Sequence, residues 1–246
     1  MSPMKDKTNQ TSQGGSMDIE NKAEKGLDFN DPSWKGEVWS CGRASGKGFK
    51  GVHRFLEYVK SNPNSVVVVM APTLGMALDM CTSGSASIIR MSKDDDTPKI
   101  SYNLDRDLYY ITFNNGTICH ILYSRNLDKI DPNSIDYAWL DEVDFYEDRN
   151  DTQTVTKLLL KRDEGKYIAT GTPCKRVVWS TLNSLYIDSL SSNTIIFKNL
   201  STLDNPLLPE SYINFVSKLS NYDSVYDYNQ EILGLTENQV GGQYGN

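Results

Sequence analysis

Glu37-Val-Trp-Ser-Cys-Gly-Arg-Ala-Ser-Gly-Lys-Gly48 is a short apolar run that breaks into a glycine-rich turn with one lysine and then becomes helical. A strand that ends in such a turn and feeds a helix aims several backbone N–H groups, and the positive end of the helix dipole, at one small volume. That volume suits a phosphate. Lys47 adds a point charge for β and γ oxygens, Gly46 permits close approach of the backbone, and Arg43 stands where a second cation meets a γ-phosphate.

The stretch approaches the P-loop pattern, Gly, four residues, Gly-Lys-Ser/Thr, and departs from it at both ends. Cys41 occupies the first glycine position and Gly48 the Ser/Thr position, where a hydroxyl normally ligates Mg²⁺. A water fills that place in this reading, at some loss of metal affinity. On the turn alone, a glycine-rich connection that only lets a strand pack on a helix remains an equal alternative.

Working outward, 246 residues hold one large α/β domain or two small ones. At 38% apolar residues, no run approaches the roughly 18 needed to span a bilayer, so a soluble chain without membrane contact is expected. The first thirty residues are polar and show no secretory signal. Cys41, Cys81, Cys119 and Cys174 are far apart and the histidines are only His53 and His120, so neither zinc nor a disulfide framework is expected. The net charge of −7 argues against a domain coated in nucleic acid, though not against a local DNA contact shared among subunits.

Residues 1–26 read as a disordered polar tail, 27–234 as the structured domain and 235–246 as a linker. Val38 to Cys41 is the first predicted strand, and Lys47 to Lys60 a helix with apolar positions at Phe49, Val52, Phe55, Leu56 and Val59. Val66 to Ala71 is a continuous β-branched run typical of a parallel strand buried on both faces, after which Thr73 caps a helix through about Ile89, weakened in its middle by Thr82-Ser-Gly-Ser85. Asp94 to Pro98 reads as a solvated turn. Leu108 to Phe113 and Thr117 to Tyr123 flank Asn114-Asn-Gly116, an antiparallel hairpin inserted at the sheet edge. Ile135 to Leu140 is the next buried strand, followed by a polar helix from Asn150 to Arg162, a strand from Tyr167, a helix from Val177 to Leu190, a strand from Thr194 to Phe197 and closing helices from Pro209 to Leu233. This alternation predicts an α/β fold, a mainly parallel sheet with helices on both faces.

Two further strand-end motifs join the glycine turn. Trp139-Leu-Asp-Glu142 ends an apolar strand in two acids, and in a parallel sheet they emerge on the same edge as Ser45 to Lys47. Asp141 is then placed to hold Mg²⁺, and Glu142 to orient and deprotonate an attacking water. This is the arrangement of an ATPase of the additional-strand type, whose catalytic glutamate stands beside the metal-binding aspartate. Thr170-Gly-Thr-Pro173 is the third such end, with two hydroxyls on a restricted turn able to sense a γ-phosphate and pass the difference on.

The ordered series Gly42-Arg-Ala-Ser-Gly-Lys47, Phe113-Asn-Asn-Gly-Thr117, Trp139-Leu-Asp-Glu142, Thr170-Gly-Thr-Pro173, Ser201-Thr-Leu-Asp-Asn-Pro-Leu-Leu-Pro209 and Gln230-Glu-Ile-Leu-Gly234 resembles the ATPase domain of the large terminase subunit of tailed phages. The resemblance implies an ATP-driven motor packaging double-stranded DNA into a procapsid in the host cytoplasm. Its implied partners are a portal protein, on which it forms a homo-oligomeric ring, and a small terminase subunit. It makes Lys47 the Walker A lysine and Arg43 the arginine of that motif, Gly42 to Gly48 the nucleotide-binding loop, Asp141 and Glu142 the Walker B pair, and Thr170, Gly171, Thr172 and Pro173 the coupling motif. The chain ends at Asn246, where such proteins continue into a nuclease domain, so DNA cleavage is not expected of it. Two other readings stand beside this one: a nucleotide-binding assembly module with little ATPase of its own, and a helicase-like ATPase.

Overall fold

The computed structural model describes residues 27–92, 98–131, 134–147, 165–173 and 180–241. The tail expected over 1–26, the acidic turn at 94–97, the polar helix expected over 150–162, Cys174 and the start of the helix expected from Val177 lie outside the described residues.

The β-branched run Val66–Ala71 (β2) lies at the heart of an eight-stranded sheet among the described residues, parallel to a neighbour on each side. In sequence order the other strands are β1 (Gly36–Cys41), β3 (Lys99–Asn103), β4 (Leu108–Thr112), β5 (Ile118–Tyr123), β6 (Tyr137–Asp141), β7 (Lys166–Gly171) and β8 (Ile195–Leu200). Their spatial order is β3-β4-β5-β2-β6-β7-β1-β8. Strand β7 therefore separates β1, which carries the glycine turn, from β6, which carries the acids; this is the extra strand that the acidic pair led us to expect.

The Asn114-Asn-Gly116 hairpin forms as read, with Gly116 at φ 84° and β4 antiparallel to β5. It lies towards one edge of the sheet, but its second strand also pairs in parallel with β2, and β3, which the sequence reading left out, extends the edge beyond β4.

Side chains alternate across the central strands, and each face gathers its own core. Val67, Val69, Trp39, Tyr137, Trp139 and Ile168 meet Val52, Phe55 and Leu56 of α1 (Lys47–Ser61) on one face. Val68, Met70, Val38, Ala138, Leu140 and Ala169 meet Leu182 and Leu185 of the helix Thr181–Ser191 on the other. Helix α1 approaches closely because Gly51 has no side chain: a Cβ there would lie 2.4 Å from the Trp139 ring. Glu37, buried on β1, ties the layers by accepting from Arg54 of α1 at 3.1 Å, Lys198 of β8 at 3.0 Å and the Trp39 indole at 3.0 Å.

The helix expected from Thr73 through Ile89 is broken. Thr73 does cap Leu74–Leu78 (α2), accepting from the Met76 amide at 3.3 Å, but a π turn follows over Asp79–Ser83 and a separate helix, α3, over Ile88–Met91. The hydroxyls of Thr82 and Ser83 bond back to Leu78 and Asp79, and the Gly84 amide reaches Asp79 at 2.8 Å, drawing the backbone out of the α ladder. After Thr181–Ser191 (α4) come Glu210–Val216 (α5) and Val225–Glu231 (α6). Glu237–Gly241 (α7), within the segment read as a linker, packs through the buried Val240. No helix among the described residues is long and apolar enough to cross a membrane.

Candidate functional site

Strands β1, β2, β5, β6, β7 and β8 run in parallel, so their C-terminal ends share one edge. The turn Gly42 to Gly46 leaves β1 there and enters α1 at Lys47. Ala44 and Gly46 both take left-handed backbone, at φ 57° and 83°. Gly46 caps α1 without a side-chain bond, so the first amides of the helix keep their donors. The Ser45 amide closes the turn on the Gly42 carbonyl at 3.2 Å. A Cβ on Gly48 would meet nothing within 4 Å.

Three strand ends converge here. Lys47 Nζ lies 2.9 Å from Asp141 Oδ1 and 2.8 Å from Glu142 Oε1. The Thr170 hydroxyl donates to Asp141 Oδ1 and accepts from the Trp139 indole at 3.3 Å. The Thr172 amide donates to Glu142 Oε2 at 3.2 Å. Glu142 itself is left-handed, at φ 53°, a strained setting for a side chain with a Cβ and one that turns the chain sharply out of β6. Gly171 runs against that turn, and Pro173, two residues on, is buried.

Burial works against the charge on Lys47, but Asp141 and Glu142 outweigh it and raise its pKa, so the amine stays protonated. Burial pushes the Cys41 thiol up to about 12, which makes it a neutral filler at the first glycine position. Burial likewise raises Asp144 to about 6, against the bonds it accepts from Leu182 N and Ser180 Oγ, both at 2.9 Å. Asp144 thus joins the acid turn to the start of α4, a link that the sequence reading missed. An acid three residues after Asp141 was the available sign.

Two carboxylates against one ammonium leave net negative charge at this edge. Among the described residues no three His, Cys, Asp or Glu side chains gather to hold a metal by themselves. A hard cation here would take the Asp141 oxygen, fixed by Thr170, and complete its shell with water and ligand oxygens, as Mg²⁺ does. The donor set fits that ion.

Arg43 stands apart from this group. Its side chain is 66% exposed and its Nε lies 3.2 Å from Glu231 of α6. The loop's other flank meets β8 and the C-terminal segment. Gly42 N donates to Leu200 O at 2.8 Å and Arg43 N to Glu231 O at 2.6 Å. A Cβ on Gly42 would fall 2.1 Å from Ile232 O, so only glycine admits that segment.

The family described as terminase large subunit, T4-like-virus type, N-terminal, matches residues 38–242. Among solved structures, the large terminase of the thermophilic bacteriophage D6E is similar over 86% of this chain and 50% of its own, at 17% identity and a TM-score of 0.60. The same protein in complex with ATP-gamma-S gives 82% and 47%, 19% and 0.59. The Thermus phage P74-26 large terminase ATPase domain gives 82% and 88%, 14% and 0.57. At these identities the likeness is one of fold. The chain spans about half the length of the D6E protein. No curated protein sequence matches it.

Proposed function

This chain belongs to the N-terminal family of T4-like-virus-type large terminase subunits, and from that premise we propose that it hydrolyses ATP with Mg²⁺ to drive double-stranded DNA into a procapsid. In this reading it works in the host cytoplasm as a ring on a portal protein, together with a small terminase subunit. The observation that carries the proposal is the meeting of Lys47 Nζ with both Asp141 and Glu142, within 2.9 Å, from residues more than ninety positions apart.

Lys47 and the first amides of α1 bind the phosphate tail, and the ammonium is then shared between phosphate oxygens and the acids. Asp141, steadied by Thr170, holds the cation, which neutralises phosphate charge when bound. Glu142 orients a water and accepts its proton as the water oxygen bonds to the γ-phosphorus and the bond to the β-bridging oxygen breaks. The Thr172 amide on Glu142 Oε2 keeps that carboxylate turned to the task. Thr170 to Pro173, touching both acids, is suited to pass the change onwards.

Glu142→Gln keeps the shape and loses the base. Steady-state phosphate release is expected to fall by about 10²- to 10⁴-fold while a fluorescent ATP analogue still binds. Normal hydrolysis by this variant overturns the assignment.

The second reading, a nucleotide-binding module that hydrolyses little alone, draws on the engagement of Arg43 with Glu231 and on the missing hydroxyl at Gly48. It expects slow turnover that rises with protein concentration and on adding portal and DNA. Brisk, concentration-independent turnover excludes it.

A further inference from the structure

Two motifs have no part in the chemistry above, Ser201 to Pro209 and Gln230 to Gly234, yet both close on the glycine turn. The Thr202 hydroxyl donates to the Arg43 carbonyl, and Asn205 Nδ2 donates to the Ala44 carbonyl at 2.7 Å. Thr202 is fully buried, and its amide is held by Ile232 O at 2.8 Å. Asn205 Oδ1 accepts from the Leu207 amide at 3.1 Å, which fixes the amide group with its nitrogen towards the turn. That nitrogen also lies 3.6 Å from where a Gly46 Cβ would stand, so it runs along the turn and not merely past its end.

In a trans peptide the carbonyl and the following N–H point in opposite directions. Holding the Arg43 carbonyl therefore fixes the Ala44 N–H on the side away from Thr202, while holding the Ala44 carbonyl keeps the Ser45 N–H on the Gly42 carbonyl, 3.2 Å away, and so pins the turn that carries Ala44. A carbonyl swung to the side of the Ala44 N–H would set a negative oxygen against a phosphate. Ala44 pays for left-handed backbone with no glycine to ease it, and such strain persists only where neighbours over-determine it. The two donors on its flanking carbonyls are such neighbours.

We propose that Thr202 and Asn205 are positioning residues for the phosphate loop, holding its carbonyls turned away so that the Ala44 N–H and the first amides of α1 face an anion. The proposal rests on the reading of Gly42 to Gly48 as a nucleotide-binding loop. Asn205→Asp is nearly isosteric, keeps the bond from Leu207 and replaces the donor facing Ala44 with an acceptor. Thr202→Val removes only the hydroxyl, and Thr202→Ser restores it.

The test is equilibrium binding of a fluorescent ATP analogue with Mg²⁺ to the full chain, beside the unfolding midpoint without nucleotide. Asn205→Asp and Thr202→Val are expected to weaken binding by about tenfold, the scale of one hydrogen bond. Thr202→Ser should bind as the native chain does, and the Asn205→Asp midpoint should fall by only about 2 to 4 °C, the scale of one lost bond in a chain of this size. Native affinity in both Asn205→Asp and Thr202→Val, with binding lost in Lys47→Ala, overturns the positioning role and leaves the nucleotide site standing. An Asn205→Asp midpoint that falls far below that, with binding lost because the chain is unfolded at the assay temperature, also overturns it. Native affinity in Lys47→Ala removes the nucleotide site and this role together.

Discussion

The two flanks of the glycine turn are built from different chemistry. Towards β7 and β6 it meets charge: one ammonium, two carboxylates and a hydroxyl, most of them shielded from water. Towards β8 and α6 it meets neutral groups, the carbonyls of Leu200 and Glu231 and the side chains of Thr202 and Asn205, with an exposed ion pair between Arg43 and Glu231. Charge in a shielded place responds strongly to an incoming anion, because its interactions are little screened. Neutral hydrogen bonds respond weakly. Under the proposed hydrolysis one flank is therefore arranged to change and the other to stay, and substitutions on the two sides should appear in different kinetic parameters.

The largest break of that contrast comes from Thr170→Val, which leaves Asp141 without its hydroxyl partner while preserving volume. In the proposed role of Asp141 as the cation's ligand, a supporting partner of this kind carries about 10- to 100-fold in activity. We expect kcat to fall on that scale with KM little moved, measured by phosphate release over a range of ATP. A shift in KM alone would place Thr170 with the static flank.

Asp144 tests the same flank through stability. Its folded pKa, near 6, exceeds its unfolded value of 3.8. The folded state therefore binds this proton more tightly, and the stability that proton supplies is present below about pH 4 and lost as pH rises through about 6, a difference on the order of 2 to 3 kcal/mol. Asp144→Asn removes the titration. Urea unfolding at pH 4.5 and pH 7.5 should show the variant gaining on the native chain at the higher pH. Parallel behaviour of the two proteins refutes the shift.

Smaller effects sharpen the contrast. Serine at position 48 enters open space, and Gly48→Ser should reach half-maximal activity at a few-fold lower Mg²⁺, since it restores a hard oxygen ligand. An unchanged requirement means the cation is held differently. Least of all, Glu231→Gln releases Arg43. Exposed ion pairs are worth about 0.2 to 1 kcal/mol, so KM for ATP should fall by no more than about fivefold. A large loss of kcat would move α6 into the changing flank.

The central sheet was legible because its strands are unusually explicit. Val66–Ala71 is apolar at every position, and the Asn-Asn-Gly turn has one natural geometry. Lys99–Asn103 escaped notice: its polar–apolar alternation lasts only five residues, and its apolar Ile100 and Tyr102 stay exposed at the sheet edge. The break at Thr82-Ser-Gly84 was visible only as a weakness, since local hydroxyl bonds decide it. At the site, the lysine, both acids and the two threonines were found from strand ends. Arg43 was read towards a phosphate, whereas its guanidinium contacts Glu231. Thr202, Asn205 and Glu231 were quoted only within the family series, because a side chain that serves a loop some 160 residues earlier carries no periodicity to reveal it.

Trp139 gives the edge a property of its own. Its six-membered ring lies tight against α1 at Gly51, and its nitrogen rests on the hydroxyl that secures Asp141. The helix that begins at Lys47 and the aspartate it pairs with thus share a rigid strut, with no side chain between helix and indole to absorb a displacement. A shift at the front of α1 would therefore meet the indole directly, with no flexible side chain in between to take it up.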